Sequence, residues 1–173
     1  MQDKSVKDLI LMGSSIFELW GTPNLPNINT LNIAIGGTTT QFWRDNVKQN
    51  MRDGIYNYAL YCGSNDLNGG VSHLQIIANT NIIFDIIKSI DKRIQIAYFS
   101  IMKAPQKQDK FTIIDKINAS VKLSLDANDI FVDLNQIINT NPKWYIEDNL
   151  HLTEIAYTEI ENKCANILTD WVI

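Results

Sequence analysis

The chain has 173 residues, 45% of them hydrophobic and 20% charged, with a formal net charge of −4. This length suits a single domain over residues 1–173 with one core, and the acidic balance argues against a nucleic-acid partner, because such proteins gather Lys and Arg on one face. Apolar runs such as Ile82 to Phe84 fall far short of the roughly 20 residues that a membrane span needs.

Short apolar segments rich in β-branched and aromatic residues alternate with segments of helical periodicity. The predicted strands are Asp8 to Met12, Leu31 to Ile35, Ile55 to Cys62, Ile94 to Ser100 and Asp129 to Asp133. The predicted helices are Thr39 to Met51, His73 to Ile90, Asp109 to Ala127 and Thr153 to Asp170.

The last predicted helix has the clearest periodicity. Its apolar stripe consists of Ile160, Cys164, Ile167, Leu168 and Trp171. A stripe with this spacing is expected to pack on a sheet. The whole pattern predicts an α/β fold, a three-layer α/β/α sandwich around a five-stranded parallel sheet of the flavodoxin-like kind.

The N-terminus and the cysteines indicate a reducing compartment. The segment Met1 to Lys7 leads into an apolar run too short for a secretory signal, and no small-residue cleavage site follows. Cys62 and Cys164 are the only cysteines and form no C-x-x-C pair, so we expect two buried thiols. A cytoplasmic protein is therefore expected.

The carboxyl end of the first predicted strand carries a glycine and two serines. In doubly wound sheets, ligands bind beyond the carboxyl ends of the strands. Gly13 lets the backbone turn sharply, and Ser15 would then present its hydroxyl near the N–H groups of a helix start. Ser15 is thus a candidate nucleophile, although Ser14 or Ser15 could simply cap the helix.

Two further strand ends carry polar loops. Gly36 and Gly37 follow the second strand, where a backbone N–H is able to approach a ligand, but no lysine follows at the P-loop spacing, so a nucleotide site is not favoured. The third strand is followed by the loop Gly63 to Asp66. There the Asn65 amide could donate into the same crevice, and Asp66 could fix the loop through backbone N–H groups.

The chain has two histidines, so the candidates for a general base are few. His73 opens a predicted helix with no carboxylate placed to orient it. His151 follows Asp148 by three residues, and a turn of that spacing lets the carboxylate bind Nδ1–H and leaves Nε2 to accept a proton from a serine. His151 is the better candidate.

Together, these four loops resemble the four sequence blocks of the SGNH hydrolases, also called the GDSL esterase family, over nearly the whole chain. The matching segments are Ile10 to Ile16, Asn32 to Thr40, Gly63 to Asp66, and Asp148 to Leu152. The resemblance implies an acyl-transfer enzyme that cleaves esters through a serine nucleophile.

Carried over by residue, the resemblance implies a catalytic triad of Ser15, Asp148 and His151. It implies an oxyanion hole made by the backbone N–H groups of Ser15 and Gly37 and by the side chain of Asn65. For the glycine donor, the preceding glycine remains an alternative. The family requires no metal and no organic cofactor, and we expect none here.

One position departs from the family pattern. Ser14 stands where the family most often has Asp. That Asp is not a proton carrier in the family, so we expect altered bonding in the loop rather than loss of activity.

The expected substrate is a small-molecule ester. Short predicted loops leave little material for a lid or an acyl tunnel, so a small acyl group such as acetyl is favoured. Trp144, in the loop before Asp148, could offer a platform to a sugar, whereas Trp20 and Trp43 are expected in the core. The segment Gly13 to Trp20 also resembles the start of the acetylesterase domains of bacterial sialic acid-activating enzymes, which suggests an O-acetylated sugar.

Three other functions remain open from the sequence. They are a lysophospholipase or thioesterase of the same superfamily, a sugar O-acyltransferase using the same triad, and a non-catalytic binding module that kept the fold. The sequence leaves the oligomeric state open.

Overall fold

Five parallel strands form one sheet in the computed structural model, which describes residues 6–173. Their order is β2-β1-β3-β4-β5. The strands are β1 (Lys7–Gly13), β2 (Ile28–Asn32), β3 (Asn57–Tyr61), β4 (Gln95–Phe99) and β5 (Ile130–Val132). The predicted α/β fold with a five-stranded parallel sheet is confirmed.

Each strand is followed by at least one helix along the described part of the chain. They are α1 (Ser15–Trp20), α2 (Thr40–Asn50), α3 (Ser64–Asn68), α4 (His73–Ile90), α5 (Phe111–Leu123), α6 (Leu134–Ile137) and α7 (Glu154–Trp171). Two 3-10 helices, Pro105–Lys110 and Pro142–Trp144, interrupt the loops. Thr39, Ser72 and Thr153 cap α2, α4 and α7, because each side-chain oxygen accepts a hydrogen bond from an N–H of the first turn.

Both faces of the sheet are buried, which makes the core two layers. Within β1, Leu9 and Leu11 pack into the cluster that contains the buried faces of α1 and α7. Ile10 and Met12 point the other way, into the cluster formed with α2, α4 and α5. This alternation explains why β1 is a continuous apolar run, as is usual for a central parallel strand.

The second strand begins and ends earlier than predicted. The sequence indicated Leu31 to Ile35, whereas β2 ends at Asn32. The backbone N–H groups of Ile33 and Ile35 still donate to the carbonyls of Leu11 and Gly13, at 2.9 Å each. The apolar run therefore extends past the regular ladder into the loop that leaves the sheet edge.

Of the five positions predicted for the α7 stripe, three are buried, Trp171 is partly buried against the same core, and one is exposed. Ile160, Cys164 and Leu168 are buried, but the side chain of Ile167 is 50% exposed. The neighbouring edge strand β5 has only three residues, and an open groove beside it is lined by residues that include Phe131 and Ile167. The sheet edge is too short to cover Ile167.

The remaining sequence predictions concern the cysteines, membrane-spanning helices and the N-terminal segment. Cys62 and Cys164 are free and buried, as expected. No helix within residues 6–173 has both the length and the apolar character to cross a bilayer. The prediction about the N-terminal leader concerns Met1 to Lys7, of which residues 1–5 lie outside the described residues.

Leu168 and Ile167 form a matched pair for testing the packing of α7. Leu168→Ala removes a fully buried side chain, so we expect the free energy of unfolding to fall by about 2–5 kcal/mol. Ile167→Ala removes a side chain that is half in water, so the loss should be clearly smaller. Urea unfolding monitored by circular dichroism measures both, and equal losses would contradict this description of the helix face.

Candidate active site

Gly13 joins the ends of the first three strands. Its φ of +146° favours glycine, and a Cβ on it would lie 2.0 Å from the carbonyl oxygen of Tyr61. The next N–H, of Ser14, donates to that Tyr61 oxygen at 3.0 Å. The Gly13 carbonyl accepts from the N–H of Ile35 at 2.9 Å and from Oγ1 of Thr38 at 3.0 Å. This peptide therefore holds three loops together at the carboxyl edge of the sheet.

The candidate nucleophile lies in the first turn of α1. Ser14 is the N-cap residue of α1, but its side chain makes no capping hydrogen bond, and Ser15 is the first residue of the helix. A capping role therefore does not account for Ser15. The Ser15 Oγ instead lies 2.9 Å from Nε2 of His151. The hydroxyl of Tyr157 on α7 donates to the Ile16 carbonyl at 2.8 Å, which fixes the start of α1 to the last helix.

The predicted Asp/His turn precedes α7. Oδ1 of Asp148 accepts hydrogen bonds from the backbone N–H groups of Leu150 and His151, both at 2.9 Å. Oδ2 lies 2.5 Å from Nδ1 of His151. Asn149 has a φ of +57°, a left-handed conformation that Asn tolerates, and the chain turns back there. The turn thus fixes the carboxylate before it orients the imidazole.

The charge state of Asp148 follows from these contacts. Burial raises the pKa of its carboxyl group, but hydrogen bonds from the His151 side chain and from the Leu150 and His151 backbone outweigh this and lower the pKa. The group is therefore a carboxylate at neutral pH and needs a donor on Nδ1 of His151. An imidazole that carries its one N–H on Nδ1 has Nε2 free to accept the Ser15 O–H.

Alternative nucleophiles and bases are placed elsewhere. The Cys62 thiol is fully buried in the cluster between the sheet and α4, and burial raises its pKa. A buried thiol without thiolate character is inert. His73 begins α4 as predicted, and Ser15 pairs with His151 instead.

The predicted oxyanion donors lie in loops that contact each other. Nδ2 of Asn65 donates to the Thr38 carbonyl at 2.9 Å, and its second hydrogen stays available. Gly37 is in the left-handed region, at φ +77°, with open space where a side chain would be. A Cβ on Gly36 would instead lie 2.5 Å from Oε2 of Glu18, so that glycine is packed against α1. The Gly37 position is therefore open, whereas the Gly36 position is closed.

A buried carboxylate fixes the loop that carries these glycines. Asp66 is 1% exposed and accepts from the Thr40 backbone N–H at 2.9 Å and from its hydroxyl at 2.5 Å. Asn79 on α4 donates to the same hydroxyl at 3.0 Å. The sequence indicated that Asp66 would accept backbone N–H groups but not that its partner was Thr40, 26 residues earlier.

The structure gives Trp144 a different place from the predicted one. It is 9% exposed within the core cluster, and its indole N–H donates to Asn139 at 3.1 Å. The Lys143 ammonium lies 4.1 Å from the ring centroid. This burial argues against Trp144 as a sugar platform. Trp20 and Trp43 are buried, as expected.

No group of three or more His, Cys, Asp or Glu side chains is placed to hold a metal ion within residues 6–173.

No family model and no curated protein matches the sequence. Solved structures do match. A Streptococcus pneumonia protein provisionally described as a platelet activating factor is 18% identical, with a TM-score of 0.82, over 96% of this chain and 86% of the other. A GDSL-like lipase from Bacteroides thetaiotaomicron is 17% identical, with a TM-score of 0.71, over 98% and 90%. A Clostridium thermocellum family 3 carbohydrate esterase is 16% identical, with a TM-score of 0.73, over 96% and 99%.

The chain therefore shares the α/β fold of a lipase and of a carbohydrate esterase. The GDSL-like lipase is of the kind that the four sequence blocks resemble, and its fold is shared by this chain. At these identities the likeness establishes the fold, and the chemistry has to be argued from the site.

Asp66→Asn tests whether the buried carboxylate holds the loop that ends at Thr40, the first residue of α2. The variant places an amide N–H₂ or a poorer acceptor opposite two Thr40 donors, so we expect a loss of about 1–3 kcal/mol in unfolding free energy. Asp45→Asn is the control, because Asp45 is a half-exposed carboxylate on α2 that pairs with Arg44. Its variant should lose less than about 1 kcal/mol in the same urea titration. Equal losses of unfolding free energy would contradict this role of Asp66.

Proposed function

We propose that this protein is a serine esterase that hydrolyses carboxylic esters through an acyl-enzyme on Ser15. The observation that carries the proposal is one continuous chain of contacts. Ser15 Oγ lies 2.9 Å from His151 Nε2, and Nδ1 of the same ring lies 2.5 Å from Asp148 Oδ2. A nucleophile, a base and an orienting carboxylate in this order are the requirements for acyl transfer.

The first half-reaction transfers the acyl group. Ser15 Oγ attacks the ester carbonyl carbon while its proton moves to Nε2 of His151, and Asp148 stabilises the imidazolium. When the tetrahedral intermediate collapses, the bond to the alcohol oxygen breaks. His151 gives its proton to that oxygen, and the alcohol leaves.

The second half-reaction releases the acid. His151 takes a proton from water as the water oxygen attacks the acyl carbon, and the proton returns to Ser15 Oγ when the acyl–enzyme bond breaks. None of these steps calls for a metal ion or an organic cofactor.

The oxyanion of each tetrahedral intermediate would be bound by the donors at the carboxyl edge of the sheet. We assign the backbone N–H groups of Ser15 and Gly37 and the second Nδ2 hydrogen of Asn65 to this role. Because the first Asn65 hydrogen is engaged by the Thr38 carbonyl, the amide is held before substrate arrives, which is what electrostatic catalysis requires. Ser14 would contribute through its backbone bond to Tyr61 rather than through its hydroxyl.

Ser15→Ala should abolish covalent labelling by a fluorophosphonate probe and reduce hydrolysis of p-nitrophenyl acetate to the background rate. The reason is that the variant lacks the hydroxyl that is paired with His151 Nε2. Mass spectrometry of the labelled protein measures the adduct, and Ser14→Ala is the matched control that should still be labelled. Labelling of Ser15→Ala to the wild-type extent would overturn the proposal.

For the substrate we propose a short acyl group, with acetyl preferred, on a polar alcohol such as a carbohydrate. The triad is open to solvent, since the side chains of His151 and Asp148 are 25% and 42% exposed. An open site offers little apolar surface to a long acyl chain and leaves room for a bulky, hydrated alcohol. The fold shared with a carbohydrate esterase supports the same substrate class, although a GDSL-like lipase shares it as well.

The length of the acyl chain and the identity of the alcohol distinguish these substrate classes. We expect kcat/KM on p-nitrophenyl esters to be highest for acetate and to fall from butyrate to octanoate, and we expect acetate release from O-acetylated sugars. Activity that rises with chain length would favour a lipase or thioesterase. Transfer of acetate to added sugar alcohols, in preference to water, would favour an acyltransferase.

A further inference from the structure

Lys107 is a buried lysine that the proposed reaction does not use. Its residue is 1% exposed, although it lies in the short 3-10 helix Pro105–Lys110 after β4. The ammonium Nζ donates to the Ser64 carbonyl at 3.2 Å and to Oδ1 of Asn68 at 2.6 Å. Both acceptors belong to α3, the five-residue helix that carries Asn65.

The charge of Lys107 is not compensated by an ion pair. Within residues 6–173, its two hydrogen-bond acceptors are neutral oxygens, and no carboxylate lies at ion-pair distance. Burial, with repulsion from Lys110, lowers the pKa of the ammonium group. A buried lysine without a carboxylate costs folding free energy, and a neutral apolar residue of the same length would avoid that cost.

The segment around Lys107 also contacts the other half of the site. The backbone N–H of the preceding residue, Gln106, donates to the Asn149 carbonyl at 3.0 Å. Asn149 lies inside the turn that holds Asp148 and His151. The short 3-10 helix therefore touches α3 on one side and the Asp/His turn on the other.

We infer that Lys107 is a positioning residue of the active site, which holds α3 so that the Asn65 amide stays aimed at the oxyanion. The inference rests on the proposed esterase function and deepens it. A helix of five residues has little intrinsic stability, so its orientation has to come from tertiary contacts. The side chain of Lys107 supplies two of them, one to each end of α3.

Lys107→Met tests the inference, because it keeps the length and the apolar stem and removes both hydrogen bonds. We expect kcat on p-nitrophenyl acetate to fall about tenfold with KM changed less than twofold, since misplacement of a transition-state donor affects turnover more than binding. Lys110→Met is the control. Lys110 lies three residues on and pairs with Asp109 at the surface, so its loss should leave kcat unchanged.

A double-mutant cycle with Asn65→Ala separates positioning from a general structural role. Asn65→Ala alone should lower kcat by about 10²–10³. If Lys107 acts through Asn65, Lys107→Met should cause little further loss of kcat in the Asn65→Ala background. If its effect is independent of Asn65, the fold-losses of kcat from the two variants should multiply in full. Full multiplication, or a wild-type kcat for Lys107→Met, would overturn the inference.

The same experiment distinguishes failure of the inference from failure of the proposed function. A wild-type protein that neither hydrolyses the ester nor labels at Ser15 would refute the esterase assignment itself. Should Lys107→Met not fold, Asn68→Ala removes the 2.6 Å bond from an exposed side chain. Asn68→Ala should lower kcat less than Lys107→Met does, and it should cause little further loss of kcat in the Asn65→Ala background. If the fold-losses of the two variants multiply in full, the inference is overturned.

Discussion

The site depends on one peptide, at Gly13, where three strand ends are hydrogen-bonded to each other. Its backbone conformation leaves no space for a side chain, since the Tyr61 carbonyl occupies the place of a Cβ. Its carbonyl accepts hydrogen bonds from the N–H of Ile35 and from the hydroxyl of Thr38. The position of the proposed nucleophile two residues later is thus set by the neighbouring strands rather than by α1, which is only six residues long.

The remaining parts of the site are held by polar contacts between loops that the sheet brings close together. Asp66 clamps Thr40, Asn65 binds the Thr38 carbonyl, and Asp148 is fixed by the backbone of its own turn. The side chains of Asn65 and Asp148 are therefore each held by a backbone contact within these loops. This arrangement suits a reaction whose catalysis comes from preorganised donors, because the groups do not have to be ordered when the substrate binds.

The sequence predicted the parts of this protein that local patterns encode. The period of the apolar residues identified the five strands, and the spacing of Asp148 and His151 within one turn predicted the contact between their side chains. Edge elements were less predictable, because the extent of β2 and the exposure of Ile167 depend on where neighbouring strands end. The partner of Asp66 and the burial of Lys107 had no sequence signal, since each contact joins residues 26 to 43 positions apart.

The hydrogen bond between Ser15 and His151 joins positions 136 residues apart, from the first and the last loops of the site. During synthesis the hydroxyl is therefore made 136 residues before the imidazole that would activate it. In a nascent or half-unfolded chain this contact is absent, because α7 has not yet docked beside α1. On the proposed mechanism, the reactivity of Ser15 arises only once tertiary structure has brought these two loops together.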